Sequence, residues 1–207
     1  AVAVVSGISA FTTRLQTALA QESHRFLAAD RVVRSGREAP ADWLQEASRL
    51  GLGTAQVLTF PSMVYAGEEG MVLASVKAVS DAYPLRGELR YSDQPFGDLI
   101  TGGRGPEPGT VWLDSRLFPL LDTAIGDTVA VGEAEFRVVA AARTEPDQGG
   151  SFLGLGPRVL MHYADIAATA VVQPGSRVEY RQLYAGEPAA VESFERWLQP
   201  QLGEGQR

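Results

Sequence analysis

TAQVLTFPSMVYA (Thr54–Ala66), GEEG (Gly67–Gly70) and MVLASVKAV (Met71–Val79) decide how this chain folds. Both long runs are rich in β-branched and aromatic residues, and the Gly-bounded tetrapeptide between them suits a turn, so the stretch reads as two strands in sequence. Pro61 has no N–H to give to a ladder, which places the first strand at an edge or puts a bulge there.

Upstream, Pro40 suits a first helical position, and Trp43, Leu44, Ala47 and Leu50 fall on one face. Gly51 sits where a helix stops, so a helix is expected over Pro40–Leu50. Phe26–Ser35 (FLAADRVVRS) reads as a strand that ends in the loop Gly36–Ala39. The first residues, Ala1–Thr13 (AVAVVSGISAFTT), carry no charge, and charges begin at Arg14. A membrane-spanning helix needs about 20 apolar residues, so this stretch alone is too short to cross a bilayer. Two readings stay open. It is the end of a spanning helix that continues as an amphipathic helix through Phe11, Leu15, Leu19 and Phe26, or a buried strand over Ala1–Val5.

Downstream, YSDQPFGDLITGGRGPEPG (Tyr91–Gly109) is dense in Gly and Pro and reads as a linker between structural units. A strand at Thr110–Leu113 follows, then a short helix capped by Asp114, with Leu117, Leu120 and Leu121 apolar. Thr128–Val131 and Glu135–Ala142 alternate around Gly132 as a hairpin. After the loop Glu145–Gly156 (EPDQGGSFLGLG), a strand is expected at Arg158–His162 and a helical turn at Ala164–Thr169. The chain closes with a strand, Arg177–Ala185, and a helix, Pro188–Leu198, that turns Val191, Phe194 and Leu198 inward. The fold class is therefore α+β: a β-α-β-β part and a distant β-α part that pack together, with a small mixed α/β unit inserted between them.

Composition narrows the function. The chain has 207 residues, 45% hydrophobic and 21% charged, with a net charge of −7. That balance opposes binding to nucleic acid, which needs clustered cations. Seventeen arginines accompany a single lysine, Lys77, a bias that reads as genome composition without functional weight. There is no cysteine, which excludes disulfides, thiolate metal sites and Cys nucleophiles. Only His24 and His162 offer imidazole, and both read as non-catalytic: His24 solvated on a helix, His162 structural at a strand end. No G-x-S-x-G elbow and no G-x-x-x-x-G-K-[ST] phosphate loop occurs, and Ser151 in GGSFLG lacks the strand-to-helix setting of a nucleophile. Asp114, Asp122 and Asp127 cluster in sequence, but a cap and a turn account for Asp114 and Asp127. No catalytic, metal-ligating or cofactor-binding residue is assigned, and no cofactor is expected.

Binding candidates lie elsewhere. The Gly-rich loops Pro95–Gly109 and Glu145–Gly156 suit partner contact or disorder equally. Phe152, Leu153 and Leu155 are apolar residues set among glycines, costly to expose unless they dock on something. Phe60, Met63 and Tyr65 on one strand are candidates for an apolar groove, with core packing the competing role.

Four stretches together resemble a known family: RLQTALAQESHRFLAADRVVRSGRE (Arg14–Glu38), VKAVSDAYPLRGEL (Val76–Leu89), IGDTVAVGEAEFRV (Ile125–Val138) and AVVQPGSRVEYR (Ala170–Arg181). In order and spacing they are similar to the periplasmic core domain of MacB/FtsX-type ABC transporter permeases, of the YbbP-like branch. The resemblance implies an exit helix over 1–25 continuing from a transmembrane helix, a porter-like subdomain made of 26–94 and 173–207, and a small Sabre-like subdomain inserted at 95–172. It further implies a non-enzymatic module on the periplasmic side of the inner membrane, attached by flanking transmembrane helices. Such a module couples movements driven by a cognate cytoplasmic ATPase to a periplasmic protein partner or a lipidic or hydrophobic cargo. The alternative is a stand-alone periplasmic or secreted hydrolase or hydrophobic-ligand carrier.

Overall fold

The computed structural model describes residues 28–67, 70–147 and 156–206. In chain order the elements are strand β1 (Arg31–Ser35), helix α1 (Ala41–Arg49), the long strands β2 (Gly53–Ala66) and β3 (Gly70–Val79), and the short β4 (Arg90–Ser92) and β5 (Ile100–Thr101). Then come β6 (Thr110–Asp114), α2 (Leu117–Leu121), β7 (Thr128–Val131), β8 (Ala134–Thr144) and β9 (Arg158–His162). A 3₁₀ turn at Tyr163–Asp165, α3 (Ile166–Thr169), β10 (Glu179–Ala185), α4 (Pro188–Leu198) and a last 3₁₀ turn at Gln199–Gln201 complete the chain.

β2 and β3 pair in unbroken antiparallel register from Val57↔Val79 to Ala66↔Gly70, as their composition predicts. The other edge of β2 is shared. β10 pairs with Gly53–Thr59 and β7 with Val64 and Tyr65, leaving an interval between them. Pro61 lies in that interval. Its partner Ser75 gives its N–H to the Pro157 carbonyl on the β9 side (3.0 Å), so Pro61 directs its missing donor away from β3 to where no strand pairs with it. The strand is continuous there, without a bulge, and has a local edge.

β7 also pairs with β8, β8 runs parallel to β6, β6 pairs with β9, and β9 runs parallel to β3. The ladder β2-β3-β9-β6-β8-β7 thus returns to β2 and closes a ring. Its interior holds Phe60, Val64, Ala74, Val76, Val111, Leu113, Val129, Val131, Phe136, Val138, Val159 and Met161, and Leu117, Phe118 and Leu121 of α2 join this core. Gly132 makes the β7–β8 turn possible: its φ is +60° and a Cβ there would meet the Thr169 carbonyl at 2.0 Å. β1 and β10 extend the sheet beyond the ring, and α1 and α4 cover them through Trp43, Ala47, Tyr184, Val191, Phe194 and Leu198. A third core lies on the outer face around Val57, Val79, Tyr83, Leu89, Trp112, Leu160 and Leu183.

One sheet runs through both the outer segments and the middle one. The outer segments do pair, β1 with β10 and β10 with β2. In the middle segment β6 to β9 pair with one another, and they close into the ring through β2 and β3. Two expectations change. The Tyr91–Gly109 linker contains part of β4 and all of β5, and Asp114 ends β6 instead of capping a helix; its carboxylate accepts the Arg116 N–H (3.0 Å) and α2 starts at Leu117. The expected exit helix over 1–25 lies outside the described residues.

Candidate functional site: an apolar hairpin face beside a buried ionic cluster

Side chains alternate along β2, so residues 60 and 64 enter the ring while 61, 63 and 65 face outward. Phe60 is fully buried. It is core and offers nothing to a partner, so among the strand candidates only Met63 and Tyr65 remain. Across the hairpin Met63 pairs with Leu73 and Tyr65 with Met71. Tyr65 is 41% exposed, Met71 59% and Leu73 61%, with Pro61 also exposed and Met63 half-buried. Five neighbouring apolar side chains therefore form an uncovered strip on the outside of the ring, an arrangement typical of contact surfaces. Sequence reasoning missed Met71 and Leu73. Alternation in MVLASVKAV carries the signal, because it places Met71 and Leu73 on one face and Val72, Ala74 and Val76 on the other.

The same outward row of β3 continues through Ser75 to Lys77, and here the character inverts. Lys77 is buried, and its ammonium gives its three N–H groups to Tyr83 Oη (2.7 Å), Glu145 Oε2 (2.6 Å) and Asp147 Oδ1 (2.5 Å). Tyr83 in turn donates its O–H to Asp147 Oδ1. The second oxygen of Asp147 accepts Arg181 Nη1 (3.2 Å), Arg181 Nε meets Glu179, and Arg158 lies 3.6 Å from Glu145. Three cations face three carboxylates, and the charges balance. Within the cluster, Arg181 Nη2 is a buried donor left without an acceptor among the described residues.

The lone lysine is thus no residue of composition bias. A compact ammonium with three freely directed donors fits three convergent acceptors, whereas the planar guanidinium fork of arginine does not. Burial pushes the Asp147 carboxyl up, but the Lys77 charge and hydrogen bond, the Tyr83 hydroxyl and Arg181 outweigh it and hold Asp147 below the usual carboxylate value. Burial, then the Asp147 and Glu145 charges, push the Tyr83 phenol well above its ordinary value and keep it neutral.

The remaining sequence candidates fall into structural places. His162 Nδ1 accepts the Ala164 N–H (3.1 Å), which leaves its proton on Nε2, 3.1 Å from Asp81 Oδ1. Asp127 accepts the Ala124 N–H (2.8 Å) in a turn, and Asp122 ends α2 in the left-handed region with φ 49°. His24, Ser151, Phe152, Leu153 and Leu155 lie outside the described residues. Among the described residues no group of three or more His, Cys, Asp or Glu is placed to hold a metal ion, and no helix is long and apolar enough to cross a membrane.

No protein-family profile matches the chain. Over its whole length, however, it aligns with the ABC transporter permease YbbP of Escherichia coli, 41% identical over 209 residues. The chain is homologous to part of an ABC transporter permease. It spans 25% of that YbbP relative. The fold agrees with this ancestry. The periplasmic region of MacB from Actinobacillus actinomycetemcomitans superposes with a TM-score of 0.50 at 12% identity, covering 88% of each chain. The extracellular domain of the transporter YknZ from Gram-positive bacteria gives a TM-score of 0.50 at 10% identity, covering 86% of this chain and 98% of that one. Those two likenesses are ones of fold, and the YbbP identity carries the kinship.

Proposed function

We propose that this chain is the periplasmic-side domain of a YbbP-type permease. In this reading it couples movements of transmembrane helices, driven by a cognate cytoplasmic ATPase, to the handling of a hydrophobic cargo or protein partner outside the membrane. The observation that supports this best is the end-to-end identity to a quarter of a permease, joined to a fold shared with domains described as periplasmic or extracellular. The sequence holds no phosphate loop, and this reading assigns ATP hydrolysis to the cognate ATPase. Its contribution is a surface, and the strip Pro61, Met63, Tyr65, Met71 and Leu73 is the part of that surface built to meet something apolar.

Excision tests this reading. A permease in which residues 28–206 are replaced by a short Gly-Ser linker should still assemble with its ATPase and hydrolyse ATP. It should lose the ATP-dependent phenotype that the intact transporter confers over an ATPase-dead control. Retention of that phenotype by the excised permease would overturn the proposal.

A further inference from the structure

Asp147 sits above β2 and holds a cation on the strand at either side of it. Oδ1 takes Lys77 of β3, and Oδ2 takes Arg181 of β10. β3 and β10 are not neighbours in the sheet, since both pair with β2 along its opposite edges. The register shows the span: Lys77 faces Thr59, and Thr59 faces Glu179, so the cluster bridges three strands in one row on the outer face. Tyr83 from the loop after β3 and Arg158 at the start of β9 complete it.

We propose that this cluster is a clamp that makes β3, β10 and the segment after β8 move as one body, so that the apolar strip cannot shift independently of the strand that leads into α4. Three observations carry the proposal. The cluster joins residues 34 to 70 positions apart in sequence; backbone pairing links β3 and β10 only through β2, and it does not reach the segment after β8 that carries Glu145 and Asp147. It is buried and charge-balanced, a construction that contributes little net stability compared with apolar packing but tolerates only one geometry. It also stands in the same side-chain row as the strip, with Lys77 four residues beyond Leu73, about 13 Å along the strand. Lys77, Asp147 and Arg181 are positioning residues here; none of them reaches the surface of the strip.

The role in transport rests on the proposed function, but the clamp can be tested without it. Asp147→Asn keeps the shape of the side chain and removes its charge. Hydrogen exchange on the 207-residue chain should then accelerate about tenfold or more in both β3 and β10, with α1 and the β7–β8 hairpin changed less than about twofold. A nitroxide on Leu73→Cys should gain mobility in the same background. Arg181→Met, which cuts only the β10 side, should speed exchange in β10 and leave β3 protected. Uniform acceleration over the whole chain, or acceleration of β10 and β3 independent of Asp147, overturns the clamp. If the exchange pattern holds and Leu73→Asp leaves the transporter's contacts untouched, the clamp stands and the assignment of the strip fails.

Discussion

Phe60 and Tyr65 are five residues apart on β2 and point to opposite sides of it, Phe60 wholly inside the closed ring and Tyr65 out among the exposed side chains of the hairpin. The two should respond to truncation very differently. Phe60→Ala leaves a cavity in the ring and should cost about 3–5 kcal/mol, whereas Tyr65→Ser should stay within about 0.5 kcal/mol of the parent. Urea unfolding of the 207-residue chain measures both, and equal losses would contradict the assignment of faces.

The ionic cluster should show an unusual order of stability. Lys77→Met takes the shared ammonium from two buried carboxylates, leaves the cluster one positive charge short and should cost about 3–5 kcal/mol. Lys77→Met combined with Asp147→Leu removes one charge of each sign and leaves Arg158, Arg181, Glu145 and Glu179 still balanced. The double variant should therefore be more stable than Lys77→Met alone. Lys77→Arg should also destabilise, because one charge is kept while the three-donor geometry is lost. Additive losses in the double variant, read from denaturant midpoints, would count against coupling.

Stability should fall at both ends of the pH scale. The Asp147 carboxyl is held below its ordinary value, so its contribution is present above about pH 4 and is lost as acid protonates it in the folded chain. The Tyr83 phenol is held above its ordinary value near 10, so its contribution is present below that pH and is lost as alkali draws the proton off. Between these limits Asp147 and Tyr83 should add no pH dependence of their own. Thermal unfolding from pH 3 to pH 11 checks this. A maximum confined to acid conditions would contradict it.

Charge placed on the strip should leave folding alone and harm contact. Met71→Asp and Leu73→Asp lie at positions 59% and 61% exposed, so each should change stability by no more than about 0.5 kcal/mol. Both should weaken association of the permease with whatever apolar surface it meets, while co-purification with the ATPase is unchanged. Loss of the ATPase from the variants would place the strip in assembly instead.

Much of the secondary structure was legible because it is local. The helix Pro188–Leu198 and the long strands announce themselves by period and by β-branched content, and the resemblance to YbbP-type permeases follows from stretches spread along the chain. The closure of the ring was not legible. It depends on β7 reaching back to Val64 and Tyr65 and on β9 lying parallel to β3, pairings between distant residues that leave no local pattern. β4 and β5 were missed because three and two residues among glycines carry too little periodicity. At the site, the strand candidates Phe60, Met63 and Tyr65 divide by parity: alternation puts Met63 and Tyr65 on one face and Phe60 on the other. The cluster was missed for a different reason. Composition made Lys77 look incidental, and only the fold brings Tyr83, Glu145 and Asp147 around it.

The central claim, that this domain stands on the outer side of the membrane and responds to the ATPase, is tested most directly at Leu73. The chain contains no cysteine, so Leu73→Cys gives a single thiol in this domain of the full-length permease. Its labelling by a membrane-impermeant maleimide should be followed in spheroplasts that carry either the active ATPase or a variant that binds ATP without hydrolysing it. The account predicts labelling in intact spheroplasts, at a rate that changes several-fold between the two ATPases. Labelling only after lysis, or identical rates with both, would contradict it.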